Sequence, residues 1–122
     1  MRYAHTMIRV KNLDASLAFY TEVLDMTETG RKDIGEEATL VYLGDDTEGK
    51  IVELTHNKDG REYTLGNQFG HLAFTTPDLE KLVKKIERRG LSYRRSRPEL
   101  NSHYIFIKDP DGYDIEILQA KD

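Results

Sequence analysis

Four side chains in this sequence are of types that can bind a divalent cation and move a proton: His5, Glu53, His71 and Glu116. Each lies in a strand-like stretch, and the second His/Glu pair nearly repeats the first. His5 to His71 is 66 residues and Glu53 to Glu116 is 63, so the chain reads as a duplicated half. Each half supplies one imidazole and one carboxylate. Carboxylates brought together repel one another unless a cation lies between them. Two nitrogens with two oxygens suit a borderline divalent ion such as nickel, cobalt, zinc or manganese, completed by water to five or six ligands. Open positions of that kind belong to a catalytic metal rather than a structural one. Arg9, two pleats beyond His5 on the same strand face, is placed to meet an anionic substrate group. Asn57, four residues past Glu53, is a polar residue that can do the same.

The elements that must position these residues follow from the same repeat. With His5 set on His71, Asn12 falls on Asp78, Leu13 on Leu79, Asp14 on Glu80 and Leu17 on Val83. Asn12 and Asp78 are helix N-cap types, whose short side chains accept a bond from an otherwise unpaired N–H of the first turn. A helical stripe follows each: Leu13, Leu17, Tyr20 and Leu24, then Leu79, Leu82, Val83 and Ile86. Gly90 stands where a left-handed residue would close the second helix. After each helix come three strand-like stretches, at about 26–33, 38–44 and 50–55, and again at about 91–96, 103–108 and 113–119. Asp109-Pro110-Asp111-Gly112 is a turn between the last two strands. The pattern predicts α+β architecture: two tandem βαβββ modules, about 1–56 and 70–122, joined by a polar loop within one domain spanning 1–122.

Period-two alternation sets the direction of each candidate. Ile8 and Val10 oppose His5 and Arg9; Val52 and Leu54 oppose Glu53; Leu72 and Phe74 oppose His71; Ile115 and Ile117 oppose Glu116. In all four strands the apolar neighbours face the helices and the candidate ligand faces away. His56 and His103 have no counterpart in the repeat and are read as surface residues. Arg88, Arg89, Arg94 and Arg95 are read as a solvated helix end and strand. The glycines of Gly66-Asn67-Gln68-Phe69-Gly70 give the chain a sharp entry into the strand of His71, because the run lacks the ending of a phosphate loop.

Composition narrows the classes. At 122 residues and 38% apolar content the chain suits one domain with a lean core, part of which a second copy could cover. A formal charge of −4 with mixed signs argues against nucleic acid or a membrane surface as partner. There is no cysteine, which excludes disulfides, thiolate nucleophiles and Cys-based zinc sites. No apolar run suffices for a signal peptide or a membrane span, so the expected compartment is cytoplasmic.

On these residues the chain resembles glyoxalase I (lactoylglutathione lyase) of the short bacterial kind, in the vicinal-oxygen-chelate superfamily. The likeness covers nearly the whole chain. It is carried by His5-Thr6-Met7-Ile8-Arg9-Val10, Phe19-Tyr20, Glu53-Leu54-Thr55, Leu65-Gly66 through Gly70-His71, and Asp109-Pro110-Asp111-Gly112-Tyr113 leading to Ile115-Glu116. A ligand set filled as His, Glu, His, Glu is its most specific part, and Glu53 selects glyoxalase over relatives with Gln or three protein ligands. The resemblance implies a cupped sheet and a homodimer. Each metal would take His5 and Glu53 from one subunit and His71 and Glu116 from the other. It implies nickel or cobalt activation, with Arg9 and Asn57 holding the glutathione part of the substrate. The sequence departs from the pattern at Arg97–His103, a shorter loop without lysine, and at Asn67, where some longer members carry Arg. The physiological thiol, glutathione or an equivalent, is therefore left open.

The expected reaction is isomerisation of the hemithioacetal of methylglyoxal and a thiol to an S-lactoyl thioester. Glu116 is the candidate base, and Glu53 stays bound or serves the opposite stereoisomer. The rivals are a dioxygenase or thiol transferase of the same superfamily, revealed by oxygen or epoxide consumption, and a metal-free small-molecule-binding protein.

Overall fold

Strand β1 (Thr6–Arg9) runs parallel to β4 (Val52–Asn57), and β4 pairs antiparallel with β3 (Ala38–Gly44), which pairs with β2 (Thr27–Ile34). The second half repeats this order. Strand β5 (His71–Thr76) is parallel to β8 (Asp114–Gln119), which is followed across the sheet by β7 (Tyr104–Lys108) and β6 (Arg94–Arg95). Between the first two strands of each set lies a helix, α1 (Leu13–Ala18) or α2 (Leu79–Arg88). A computed structural model describes residues 1–97, 99 and 103–121 of the chain. They divide into two compact units, Met1–Thr64 and Leu65–Asp122, each holding one βαβββ set. The architecture is α+β, as the repeat predicts. No helix among the described residues is long and apolar enough to cross a membrane.

The caps behave as their residue types require. Asn12 Oδ1 accepts from Ala15 N at 3.0 Å, and Asp78 Oδ1 accepts from Lys81 N at 3.1 Å. Gly90 has φ +71°, the left-handed conformation expected just past the end of α2. Leu79, Val83 and Ile86 are buried at helical spacing, and Lys85 and Arg88 in the last turn oppose the negative end of the helix dipole. The Gln119 side chain ties the start of α2 to β8, accepting from Leu79 N at 2.9 Å and donating to the Pro77 carbonyl at 2.8 Å.

The first helix departs from the expected stripe. After α1 the chain enters a π-helical segment, Phe19–Val23, with Leu24 N donating to the Phe19 carbonyl at 3.4 Å. Thr21 Oγ1 donates to the Leu17 carbonyl at 2.8 Å, so a side chain competes for the acceptor that an α-helical N–H would use. The widened turn shifts the buried face to Ser16, Phe19, Tyr20 and Val23, while Leu13, Leu17 and Leu24 are half-buried. Three strands also differ in extent. β6 is two residues long against the six expected, β4 begins at Val52 rather than near 50, and β2 carries a bulge between Glu28 and Gly30. β2 is an exposed, charged edge, which discourages pairing with other strands. The Arg97–His103 loop, singled out for its missing lysine, lies largely outside the described residues at 98 and 100–102.

Candidate metal centre

Burial alternates along β1 and β8, whereas β4 is buried at four consecutive positions, Val52–Thr55. In β1 and its continuation, Ile8 and Val10 are buried while Met7 and Arg9 are exposed. In β8, Ile115 and Ile117 are buried and Glu116 is half-buried. Register then decides which outward side chains meet. Met7 lies beside Glu53 and Ala73 beside Glu116. His5 and His71 each stand two residues before those positions, so each imidazole reaches diagonally to the carboxylate on the adjacent parallel strand. His5 Nε2 is 3.1 Å from Glu53 Oε1, and His71 Nε2 is 3.2 Å from Glu116 Oε1.

The turn before β8 fixes the second of these registers. Asp109 is buried, and its Oδ1 accepts from Asp111 N and Tyr113 N, both at 2.9 Å. Gly112, with φ +89°, donates its N–H to the Asp109 carbonyl at 3.0 Å. The closed turn sets Lys108 opposite Asp114, with their side chains paired at 2.6 Å, and hence Phe106 opposite Glu116. At the entry to β5, Gly66 takes φ +72°, a conformation open to glycine at no steric cost.

Both pairs sit against an aromatic edge that the sequence reading did not single out. The His5 ring meets Tyr42 of β3 at 5.7 Å, interplanar angle 78°; the His71 ring meets Phe106 of β7 at 5.1 Å and 90°. A cation covers each aromatic: Lys50 Nζ lies 4.8 Å from the Tyr42 centroid, and the Arg94 guanidinium 4.9 Å from that of Phe106. Tyr42 lies directly across from Glu53. Burial pushes the Tyr42 phenol up first, followed by the charge of Glu53 and a hydrogen bond to it. Glu53 is itself 8% exposed, and Thr55 Oγ1 donates to its Oε2 at 2.6 Å. Period two was the available signal for Tyr42, since its neighbours Val41 and Leu43 are the buried ones.

The remaining candidates are more scattered. Arg9 is exposed on the Met7 face of β1, in register with Thr55. Asn57, at the end of β4, accepts from the Tyr63 hydroxyl at 2.9 Å and is half-buried. His56 is not the surface residue expected from the sequence. It is half-buried because its Nδ1–H donates to the Val10 carbonyl at 3.3 Å. His103 is exposed. Within the arginine cluster, Arg95 makes a two-pronged contact with Glu80, both bonds 2.9 Å, and holds that carboxyl below its ordinary range.

The four expected ligands thus occur as two pairs, and no group of three or more His, Cys, Asp or Glu poised for a metal occurs among the described residues. Each pair nonetheless suits a cation. Metal–ligand bonds of about 2.1 Å at a right angle separate a nitrogen and an oxygen by about 3 Å. The 3.1 and 3.2 Å separations are therefore those of two neighbouring ligand positions.

Paired βαβββ modules, each presenting an imidazole and a carboxylate from its two parallel strands, define a class of α+β proteins. Residues 2–117 match the family model of the Glyoxalase/Bleomycin resistance protein/Dioxygenase superfamily. A lactoylglutathione lyase of Neisseria meningitidis is 42% identical, covering 99% of this chain and 92% of that protein. One of Salmonella typhimurium is 35% identical over 100% and 95%. Among solved structures, Leishmania major glyoxalase I, described as trypanothione-dependent, superposes with a TM-score of 0.83 at 36% identity, over 97% of this chain and 86% of that one. Glyoxalase I of Zea mays gives 0.88 at 33%, over 99% of this chain and 45% of that one. The chain belongs to this superfamily and, within it, to the glyoxalase I (lactoylglutathione lyase) family.

Proposed function

We infer that this chain is an enzyme of the lactoylglutathione lyase type, converting the hemithioacetal of methylglyoxal and glutathione into S-lactoylglutathione. The observation that carries the reading is the repeated geometry. In a chain whose full-length relatives bear that name, each module sets an imidazole nitrogen and a carboxylate oxygen side by side at the same register. His5, Glu53, His71 and Glu116 would hold a divalent cation, with nickel or cobalt expected ahead of zinc or manganese. Bound there, the cation would supply Lewis acidity to the substrate.

The chain's own residues do the rest. Glu116 takes the proton from C1 of the hemithioacetal and returns it to C2, so the thiol-bearing carbon becomes the thioester carbonyl. His71, whose Nε2 lies 3.2 Å from Glu116 Oε1, is the neighbouring ligand that keeps this carboxylate at the site. Glu53 remains a ligand. Arg9, on the exposed face beyond Glu53, meets a carboxylate of the thiol, and Asn57 holds its amide portion. As the resemblance to glyoxalase I implies, the working unit is a homodimer. One subunit gives His5 and Glu53 to each metal and the other gives His71 and Glu116. A free thiol as co-substrate places the reaction in a reducing compartment, the cytoplasm.

The test is metal analysis of protein purified without chelator, beside an assay of thioester formation from methylglyoxal with glutathione and with other thiols. Metal-dependent thioester production and a dimer in solution are expected. Absence of thioester with every thiol and with each of Ni2+, Co2+, Zn2+ and Mn2+ would overturn the reading.

A further inference from the structure

The two carboxylates occupy equivalent places but have unlike neighbours. Across the sheet, Glu53 faces Tyr42 whereas Glu116 faces Phe106. Two residues along the same strand, Glu53 is followed by Thr55 and Glu116 by Leu118. At both positions module 1 therefore carries a hydroxyl and module 2 carries hydrocarbon. Both Glu53 oxygens are engaged, Oε1 by His5 at 3.1 Å and Oε2 by the buried Thr55 hydroxyl at 2.6 Å. Glu116 Oε1 has His71 at 3.2 Å, and among the described residues no hydroxyl donates to its second oxygen. Exposure agrees: the Glu116 side chain is 18% exposed, that of Glu53 11%.

We propose that Thr55 and Tyr42 are positioning residues that make the two carboxylates unequal, pinning Glu53 as the holding ligand and leaving Glu116 to swing. A carboxylate bound at both oxygens must break a hydrogen bond to rotate; one bound at a single oxygen need not. The division of labour is thus written in the second layer of side chains, on otherwise equivalent positions. The inference rests on the metal and base roles given above. It adds that two hydroxyls absent from module 2 decide which carboxylate does which.

The experiment titrates chelator-stripped protein with Ni2+ by calorimetry and, separately, measures thioester turnover at saturating Ni2+. Thr55→Val combined with Tyr42→Phe should weaken Ni2+ binding by about 10–100-fold, the usual effect of removing partners that orient a ligand. Thr55→Ser keeps the hydroxyl and should bind Ni2+ like the parent protein. The reverse pair, Leu118→Thr with Phe106→Tyr, gives Glu116 the neighbours of Glu53. It should hold Ni2+ at least as tightly as the parent while turnover falls by about tenfold or more. Circular dichroism melting checks that each variant is folded; if the valine–phenylalanine double variant is not, the serine and reverse variants still decide. Unchanged Ni2+ affinity in the double variant, Thr55→Ser as weak as the double variant, or full turnover in the reverse pair would each overturn the proposal. A parent protein that binds Ni2+ but forms no thioester would sink the functional reading while the affinity comparison still judged the pinning. One that binds no Ni2+ would overturn both.

Discussion

Replacing Glu116 by glutamine keeps the length and shape of the side chain and leaves an amide oxygen as a ligand atom beside His71 Nε2, which lies 3.2 Å from Oε1. What it removes is the capacity to accept a proton. A positioned general base contributes about 10²–10⁴-fold to rate, which is about 3–5 kcal/mol at about 1.4 kcal/mol per factor of ten. The structural cost is far smaller. The charged contact of Oε1 with the His71 ring becomes a neutral one at a half-buried site, a change of about 1 kcal/mol. Against a typical folding stability of about 5–15 kcal/mol, the variant stays essentially fully folded, so a fall in turnover reports chemistry. The assay is the initial rate of thioester formation at saturating Ni2+, with Ni2+ per chain and melting temperature measured on the same sample. Turnover should fall by at least about a hundredfold with Ni2+ still bound. Turnover near the parent level would refute Glu116 as the base. Loss of Ni2+ in step with turnover would refute it too, leaving the residue a holding role. Glu53→Gln is the contrast, since it disturbs bonds to both His5 and Thr55 and should act first on Ni2+ affinity.

Three further outcomes follow from the fold. Gly112→Ala places a Cβ at φ +89°, 3.2 Å from the Leu65 side chain, and should destabilise the protein by about 1–2 kcal/mol in urea unfolding. Asn12→Ala removes the acceptor for Ala15 N and should cost about 1 kcal/mol in the same measurement, whereas Asn12→Ser should recover most of it. Arg95→Gln tests the Glu80 pair by pH. Glu80 is held below its ordinary value of 4.5 chiefly by the hydrogen bond from Arg95. A lowered carboxyl contributes stability above its unfolded value and loses it as pH falls through the folded one. The parent should therefore be slightly more stable than the variant at neutral pH, with the gap closing below pH 4.5 and in high salt. A gap that widened in acid would refute the assignment.

Much of this architecture could be read before any coordinates because its signals are local. A cap needs one short polar side chain, and Asn12 and Asp78 both accept as expected. A left-handed helix end needs glycine, and Gly90 supplies it. Alternation needs about six residues, and the buried isoleucines flanking Glu116 obey it. The misreadings arose where a side chain competes with the backbone or where pairing is non-local. Thr21 takes the carbonyl that an α-helical turn would use, and of the stripe written as Leu13, Leu17, Tyr20 and Leu24 only Tyr20 is buried, beside Ser16, Phe19 and Val23. His56 is drawn in by a carbonyl 46 residues away in the chain, which no window of sequence contains.

The same distinction separates the parts of the site. Imidazoles and carboxylates at repeat spacing stand out by residue type, and each proves to be paired within its own module. Their neighbours have ordinary types and depend on register. For Phe106 the register was within reach: the turn at Asp109 through Tyr113 sets Lys108 against Asp114, and counting back two residues on each strand puts Phe106 against Glu116. For Tyr42 it was not. Residues 45–51 link β3 to β4, and that connection folds on itself, Asp45 Oδ1 accepting from Thr47 N and Glu48 N at 2.7 and 2.8 Å. How many residues such a loop absorbs, and hence whether Glu53 meets Tyr42 or a neighbour one step along, is decided by bonds like Ile51 N to the Leu43 carbonyl. A slip of one residue there would turn Tyr42 to the core face and put Val41 or Leu43 opposite Glu53. The hydroxyls that distinguish the two carboxylates are therefore properties of the folded register, present in the sequence only as one tyrosine and one threonine among many.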